Sequence, residues 1–151
     1  LMLFCFKAKT DLVEKLLILG ADPNQKSFAG QTAVHYAVSS GNREILTMLI
    51  GAGADINICD INEHAPLFLA IKKCDYVIAD LLISYGAKLD NKVEGTPYLF
   101  WAMQLEQLSI FNRLLAAGAD PKMRNAAGKD LKQVAREGNK NHFLRVLGTL
   151  N

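Results

Sequence analysis

Residues that could do catalytic or metal-binding chemistry are scattered along this 151-residue chain. The three histidines, His35, His64 and His142, fall in no HExxH pattern, and nothing in their spacing brings them together. The chain also has no GxSxG, no phosphate-cradling glycine loop and no CxxC pair. The sequence therefore predicts a protein that is not an enzyme and that holds no cofactor and no metal ion.

The three cysteines, Cys5, Cys59 and Cys74, are irregularly spaced. An odd number without regular spacing argues against a disulfide framework and fits a reducing compartment. We expect the three cysteines to act as small apolar residues in or near the core rather than as reactive or metal-binding thiols. The predicted location is therefore intracellular and cytoplasmic.

Most of the regularly placed aspartates belong to a recurring Gly-Ala-Asp segment. It begins at Gly20, Gly53, Gly86 and Gly118, with a lysine in place of the aspartate in the third copy. The steps of 33, 33 and 32 residues between these glycines indicate a stack of repeats, each burying its faces against its neighbours. Stacking would bring the aspartates into a ladder, but hydrogen bonding at helix ends and in loops explains them better than a cation site.

The composition is that of a folded protein with little net charge. Apolar residues make up 50% of the chain and charged residues 21%, which is not a disordered composition. The net charge of +2 is too small to indicate a nucleic-acid partner or an anionic membrane. Apolar runs fall far short of the ~20 residues of a membrane span. We therefore expect no nucleic-acid partner and no direct membrane insertion.

The glycine-bounded endings divide one predicted domain, 1–151, into about five repeats. The repeats cover about 1–24, 25–57, 58–90, 91–121 and 122–151. The first is incomplete, which suggests a fragment of a longer chain. The last has polar helices but keeps an apolar inner face, which is typical of a C-terminal cap that ends an array.

Repeat 25–57 is the best formed and predicts two short helices. Gly30 permits a turn, and Thr32 is placed to cap the first helix with its hydroxyl. Gly41 then breaks the chain, and Asn42 starts the second helix. Gly53 is the expected left-handed residue at the end of that helix.

Later repeats depart from this pattern. Glu63 replaces the turn glycine, whereas Cys74 and Glu106 replace the mid-repeat glycine. In repeat 91–121, counting back from Gly118 places 97–102 across the first-helix motif and makes the preceding connection one residue short. The alternative of aligning Thr96-Pro97 with a Thr-Pro motif needs two gaps, so we prefer the first alignment.

Period, helix content and motif together resemble the ankyrin repeat. Its pattern is a G-x-T-P-L-H-x-A first helix, a glycine break, an apolar second helix and a G-A-D-x-N loop. The resemblance covers essentially the whole chain, because the motif residues fall in phase. They are Gly30, Thr32, His35, Ala37, Gly41 and 53–57, then Pro66, Leu67 and Ala70, then Gly128 and Ala135.

The resemblance implies an all-α ankyrin-repeat solenoid of about 4.5 helix-turn-helix repeats with short hairpin-like loops. It implies a monomeric, non-catalytic scaffold or adaptor that binds a protein or peptide partner on its concave face. Alternatives are a targeting or regulatory segment of a larger enzyme, ligase adaptor or secreted bacterial effector, or a stand-alone inhibitor. In such repeats His35 is expected to hydrogen-bond backbone between repeats, and Asn24 or Asn57 to be open to hydroxylation.

Candidate contact residues follow from the loop tips and first helices of the resemblance. Phe28 and Ile61 are large apolar tip residues that suit a partner anchor, with packing between neighbouring loops as the alternative. Tyr36 and Trp101 suit an aromatic stripe, with inter-repeat packing as the alternative. The predicted partner-binding residues are Phe28, Gln31, Tyr36, Ser39, Ile61, His64, Lys72, Lys73, Trp101, Gln104 and Leu105.

Overall fold

The computed structural model describes residues 1–149 as short helices in pairs. The all-α fold class is confirmed, since the only strands among these residues form one two-residue pair. No helix in this range is long and apolar enough to cross a membrane. The elements are α1 (Met2–Phe6), α2 (Thr10–Ile18), α3 (Ala33–Ser40), α4 (Arg43–Gly51), α5 (Pro66–Lys72), α6 (Tyr76–Ser84), β1 (Lys92–Val93), β2 (Thr96–Pro97), α7 (Tyr98–Gln104), α8 (Leu108–Ala116), α9 (Leu131–Glu137) and α10 (Asn141–Gly148).

The chain divides into two compact units, an N-terminal unit, Leu1–Ala87, and a C-terminal unit, Lys88–Asn151. In the N-terminal unit the helices pair as α1 with α2, α3 with α4 and α5 with α6, and α3 also packs against both α1 and α5. The core side chains come from the helix faces that the apolar spacing predicts. Those of α3 and α4 are completely buried: Ala37, Val34, Val38, Ile45, Leu46 and Leu49.

The C-terminal unit repeats this arrangement with two helix pairs. Helix α7 packs against α8 and α9, and α10 packs against α9 and α8. Its core is more aromatic, because Tyr98, Phe100, Phe111 and Phe143 are all buried. The rings of Phe111 and Phe143 meet edge to face with their centroids 4.9 Å apart, an arrangement that aromatic pairs favour.

Polar side chains cap the N-termini of several helices, and two of these caps, Thr32 and Asn42, were predicted from the sequence. Thr32 is the N-cap of α3 and forms a capping box with His35. Asn42 caps α4, since its Oδ1 accepts the Ile45 N–H at 2.9 Å. Asp75 does the same for α6. Each of these bonds satisfies a backbone donor that the first helical turn would otherwise leave without a partner.

The mid-repeat turn is left-handed in every repeat, whichever residue occupies it. Gly41 has φ 69°, and the residues at the same repeat position, Ala8, Cys74, Glu106 and Asn139, have φ between 51° and 58°. The predictions that Cys74 and Glu106 stand in glycine positions are therefore confirmed. Side-chain-bearing residues are strained in this conformation, so neighbouring packing must impose it.

The register predicted for the fourth repeat is also confirmed. The N-caps of α3, α5, α7 and α9 are Thr32, Ala65, Pro97 and Asp130, so Pro97, and not Thr96, stands at the motif threonine position. The missing residue falls in the loop before α7. There β1 and β2 form a hairpin whose two turn residues, Glu94 and Gly95, both have positive φ, as a type I′ turn requires.

We predict that Glu63→Gly raises the free energy of unfolding by about 1 kcal/mol, because Glu63 is exposed and held at φ 63°. Glycine adopts this conformation without the Cβ penalty. Urea unfolding monitored by circular dichroism gives the measurement. Glu63→Ala is the matched control and should leave stability nearly unchanged, since alanine keeps the Cβ. Equal stabilisation by both substitutions would contradict the backbone explanation.

Candidate functional site

Two five-residue turns of the N-terminal unit, 27–31 and 60–64, project as fingers. Each is closed by two backbone hydrogen bonds, such as Ser27 N–H to the Gln31 carbonyl at 2.8 Å and Asp60 N–H to the His64 carbonyl at 3.0 Å. A further bond, from the Ile61 N–H to the Ala29 carbonyl at 3.1 Å, joins one finger to the next. The two fingers are therefore a bonded pair and not independent loops.

A polar side chain at the base of each finger holds the turn. The Asp60 carboxylate is buried, and its Oδ1 accepts the N–H groups of Asn62 and His64, both at 2.9 Å. Ser27 holds the first finger in the same way, because its hydroxyl accepts the Gln31 N–H at 3.2 Å. Such side-chain turns fix the loop backbone locally. The finger tips are consequently presented on preformed supports.

The tips themselves carry two large apolar side chains. Phe28 is fully exposed and Ile61 is 70% exposed, so neither packs into the space between the fingers. Gln31, at the end of the first finger, is half-buried. Two apolar side chains on adjacent rigid turns form a place where a partner can bury area without first ordering the loops.

His64 has a mainly structural position within the second finger. Its ring is half-buried, stacks on Phe68 with centroids 4.9 Å apart, and places Nδ1 3.6 Å from Asp60 Oδ2. Its carbonyl accepts a hydrogen bond from His35 Nε2 at 3.1 Å. Little of the imidazole is left for contact with another molecule.

His35 links α3 to the second finger, which confirms the role expected of it between repeats. Its Nδ1 accepts the Thr32 N–H at 3.0 Å, so the ring proton must be on Nε2, which donates to His64 O. Thr32 Oγ1 also lies 3.0 Å from Nδ1. Burial lowers the pKa of His35 below its ordinary value, because the charged ring would lose its hydration.

The exposed side of α3 and α5 supplies a second part of the surface. Tyr36 is half-buried, whereas Ser39 and Lys72 are exposed. Lys73 is also exposed, but its Nζ donates to the Ser39 carbonyl at the end of α3. That bond connects two repeats and favours a supporting role for Lys73. Lys72 is exposed and takes no part in this bond.

Sequence reasoning missed two residues of this surface, Leu3 and Phe6. They are 57% and 59% exposed, and Phe6 meets the Tyr36 ring edge to face at 6.3 Å. Both lie one 33-residue period before a predicted contact position, Tyr36 and Ser39 respectively. Counting one period back into the incomplete first repeat would have found them.

The remaining predicted contact residues lie in the C-terminal unit, at the end of α7. Trp101 is half-buried, and Gln104 and Leu105 are exposed. Trp101 and Gln104 lie three residues apart on the last turn of that helix and Leu105 is its C-cap, so the three form a small surface of their own. The other eight predicted residues all belong to the N-terminal unit.

The loop aspartates are engaged in local turns. Asp22, Asp55 and Asp120 each accept, at 2.8 Å, the N–H of the residue two positions later. Asn24 reaches across to the next repeat, where Oδ1 accepts the Asp55 N–H at 2.7 Å and Nδ2 donates to the Gly53 carbonyl at 3.1 Å. Within residues 1–149 no group of three or more His, Cys, Asp or Glu side chains is arranged to hold a metal ion.

The cysteines lie in three different environments. Cys5 is completely buried in α1, and burial raises the pKa of its thiol to about 11. Such a thiol stays protonated at neutral pH and is a poor nucleophile. Cys59 is half-buried and Cys74 is exposed. All three thiols are free of disulfides.

Paired short helices joined by finger-like turns, repeated every 33 residues, define a helical repeat protein. A family model described as ankyrin repeats (3 copies) matches residues 1–93 and 41–125. The chain belongs to the ankyrin-repeat family. Ankyrin repeats are non-catalytic modules that generally mediate protein–protein interaction.

Several known proteins are similar to the chain. It is 37% identical over 106 residues to an ankyrin repeat-containing protein of Schizosaccharomyces pombe, a match that covers 70% of this chain and 49% of the relative. It is 30% identical to the mouse B-cell lymphoma 3 protein homolog, a match that covers 76% of this chain and 26% of the relative. It is 29% identical to the cattle mitochondrial disaggregase, a match that covers 91% of this chain and 21% of the relative. The chain thus spans less than half the length of each of these relatives.

Proposed function

We propose that this chain is a non-catalytic scaffold whose N-terminal unit binds a protein or peptide partner. The proposed surface joins the two fingers to the exposed side of α3 and α5. Its predicted members are Phe28, Gln31, Tyr36, Ser39, Ile61, His64, Lys72 and Lys73, to which we add Leu3 and Phe6.

The observation that carries the proposal is the pair of exposed apolar side chains on hydrogen-bonded fingers. Phe28 and Ile61 expose large apolar areas, and the Ile61 N–H to Ala29 carbonyl bond holds their turns together. Large apolar anchors tend to dominate the energy of interfaces when they become buried. Their supports are already ordered, so binding costs little loop entropy.

The helix side of the surface suggests what the partner presents. Phe6 and Tyr36 form an aromatic pair on the surface of α1 and α3, and Lys72 is exposed at the end of α5, which packs against α3. An extended or helical segment with apolar side chains and an acidic group matches these features. His64 and Lys73 act in this proposal mainly by holding the backbone that carries the anchors.

The double substitution Phe28→Ala and Ile61→Ala tests the proposal. We expect partner capture to weaken by at least about tenfold, because truncating an apolar anchor typically costs 1–2 kcal/mol or more. Affinity capture with the wild-type chain first identifies a partner, and titration of that partner then compares the variants. Thermal unfolding should be unchanged, since both side chains are exposed.

Ile18→Ala with Leu19→Ala is the matched control, because these side chains are 78% and 81% exposed at the end of α2, away from the fingers. The control should bind like the wild type. Equal capture by the folded finger variant and the wild type would rule out the finger tips as the site.

The α7 surface of the C-terminal unit is proposed separately as a smaller contact. Trp101 is the chain's single tryptophan, and Gln104 and Leu105 extend its surface. A half-buried tryptophan offers a rigid apolar edge to a partner. Leu105→Ala leaves the buried part of α7 intact and therefore probes this contact without disturbing the core.

A second proposal concerns the context in which the scaffold acts. The chain aligns with only 21% of the cattle relative named a disaggregase and with 26% of the B-cell lymphoma 3 protein homolog. These partial matches favour a targeting or regulatory segment within a longer protein. The complete reading frame around the chain tests this directly. We also propose a monomer in a reducing, cytoplasmic compartment, for which light scattering and localisation in cells are the checks.

A further inference from the structure

The positive charge of the chain is concentrated in its last repeat. Residues 122–149 contain seven Lys or Arg and two Asp or Glu, a net charge of +5, whereas residues 1–121 contain ten and thirteen, a net charge of −3. The small overall charge of +2 therefore conceals a basic region. A local excess of this size attracts acidic groups even when the whole chain is nearly neutral.

Several of these cations are already engaged within the C-terminal unit. Lys129 pairs with Glu137 at 2.6 Å. Lys140 and His142 both bind the Glu106 carboxylate, and the Lys140 hydrogen bond lowers the pKa of that carboxyl. The two Glu106 pairs join the fourth repeat to the fifth, whereas the Lys129–Glu137 pair lies within the fifth repeat. Other lysines of the repeat are left to face solvent.

The exposed lysines Lys122 and Lys132 flank a separate cavity of about 330 Å³. Neither makes an ion pair with any residue of the described range 1–149. The cavity lies between the loop before α9, the first turn of α9 and the end of α10. Its lining residues are Pro121, Lys122, Arg124, Asp130, Leu131, Lys132 and Leu147.

The other polar groups of the cavity do not cancel its charge. The Asp130 carboxylate caps α9, because its Oδ1 accepts the Gln133 N–H at 2.8 Å. Arg124 donates through Nη1 to the Gly128 carbonyl at 2.7 Å but keeps its charge. The cavity thus has three cations against one carboxylate that is committed to a helix cap. Pro121, Leu131 and Leu147 give the same space an apolar wall.

We propose that this cavity is a second docking site, and that its occupant is an acidic peptide segment carrying apolar side chains. Carboxylates of the segment would meet Lys122, Arg124 and Lys132, while an apolar side chain would lie against Leu131 and Leu147. Charge complementarity of this kind sets the choice and speed of association. The site lies in the C-terminal unit and does not depend on the finger surface.

Nucleic acid and anionic lipid fit the same residues less well. Both present phosphates in long rows or sheets and are bound by extended sets of cations. Here three cations line a half-open cavity that also contains a carboxylate and apolar side chains. A short chain of alternating acidic and apolar residues satisfies both kinds of group at once.

A direct test uses the full chain and a fluorescein-labelled peptide of alternating glutamate and leucine. Fluorescence anisotropy should show saturable binding that weakens as salt rises from about 0.05 to about 0.5 M, since exposed ion pairs are screened. Lys122→Glu with Lys132→Glu should weaken binding about tenfold, because each exposed ion pair contributes a factor of up to about five. The same peptide with lysine in place of glutamate should not bind.

Lys9→Glu with Lys15→Glu is the matched control, because it makes the same change in net charge at two exposed positions of the N-terminal unit. This control should bind the acidic peptide like the wild type. Circular dichroism should show that both double variants remain folded. Equal weakening in the two variants would mean a general charge effect and would overturn the site.

Three other outcomes would also overturn the proposal. The first is that wild-type protein fails to bind the acidic peptide. The second is tighter binding to duplex DNA or to phosphatidylserine vesicles than to the peptide, with the same loss on charge reversal. The third is peptide-independent self-association, seen by light scattering, that disappears in the Lys122→Glu, Lys132→Glu variant, since the cavity would then be occupied by a second copy.

Discussion

Replacing Gly30 by alanine is expected to lower the free energy of unfolding by about 3 kcal/mol. Gly30 has φ 74°, in the left-handed region where a Cβ is strained by about 1–2 kcal/mol. A Cβ at this position would also lie 3.0 Å from the Ile61 backbone nitrogen and 3.2 Å from the Asp60 Cα. These are backbone atoms of the neighbouring finger, so they cannot move aside as a flexible side chain can. Overpacking of this kind typically adds about 1–3 kcal/mol.

Gly20→Ala provides the matched control, because Gly20 has φ 83° and a Cβ there would meet no atom of the surrounding structure within 4 Å. Gly20→Ala should lower the free energy of unfolding only by the strain of the left-handed backbone, about 1–2 kcal/mol. Urea unfolding of both variants by circular dichroism measures the difference. Equal losses in Gly20→Ala and Gly30→Ala would show that a Cβ at Gly30 adds no steric cost against the neighbouring finger.

The same substitution connects fold with proposed function. A Cβ at Gly30 pushes against the backbone whose Ile61 N–H bonds the Ala29 carbonyl. The tips carrying Phe28 and Ile61 would then lose their shared support. We expect Gly30→Ala to weaken partner capture even under conditions where the protein stays folded, whereas Gly20→Ala should not.

Local chemistry explains why the helix starts could be predicted from sequence. Thr32 and Asn42 cap their helices because a side-chain oxygen can reach the N–H groups of the first turn, a property of the residue and its immediate neighbours. The fourth-repeat register at Pro97 was found by counting a period, which needs no knowledge of packing. Both kinds of signal are contained within a few residues or a fixed spacing.

Other features depend on contacts between repeats and carry no local signal. Ala8 and Asn139 adopt left-handed conformations only because the repeat turn imposes them. The bond from Lys73 to the Ser39 carbonyl spans 34 residues. Likewise, the packing of Phe6 on Tyr36 could not be read from Phe6 alone. The helices of the site were therefore predictable, whereas which of its side chains support the backbone and which stay exposed was not.

The second finger and the N-cap of α3 both depend on the side chain of His35. Replacing His35 by alanine is therefore expected to lower the free energy of unfolding by about 3 kcal/mol. The ring is buried and bonds both the Thr32 N–H and the His64 carbonyl. Each buried group left without a partner costs about 1–3 kcal/mol. Thermal and urea unfolding measure the loss. A cost below about 1 kcal/mol would mean that water replaces the ring.

His35→Gln separates hydrogen bonding from charge, because α9 already uses a glutamine, Gln133, at the same repeat position in its capping box. Glutamine keeps the cap but does not titrate. In the wild type, the pKa of His35 is lowered from its ordinary value of 6.5, chiefly by burial and despite the opposing effect of Asp60. The unfolded chain therefore binds this proton more readily than the folded one, so stability is complete above pH 6.5 and is lost as the pH falls below it.

Below pH 6.5 the wild type should thus lose stability faster than His35→Gln, although the variant is less stable at neutral pH by about 1 kcal/mol. All other side chains are the same in the two proteins, so the difference between the two unfolding curves isolates His35. Urea midpoints measured from about pH 8 to about pH 5 provide the comparison. Parallel curves over that range would contradict a lowered pKa of His35 in the folded protein. A steeper fall in the wild type is the result expected when burial of the ring, together with loss of Nδ1 as the acceptor of the Thr32 N–H, opposes protonation.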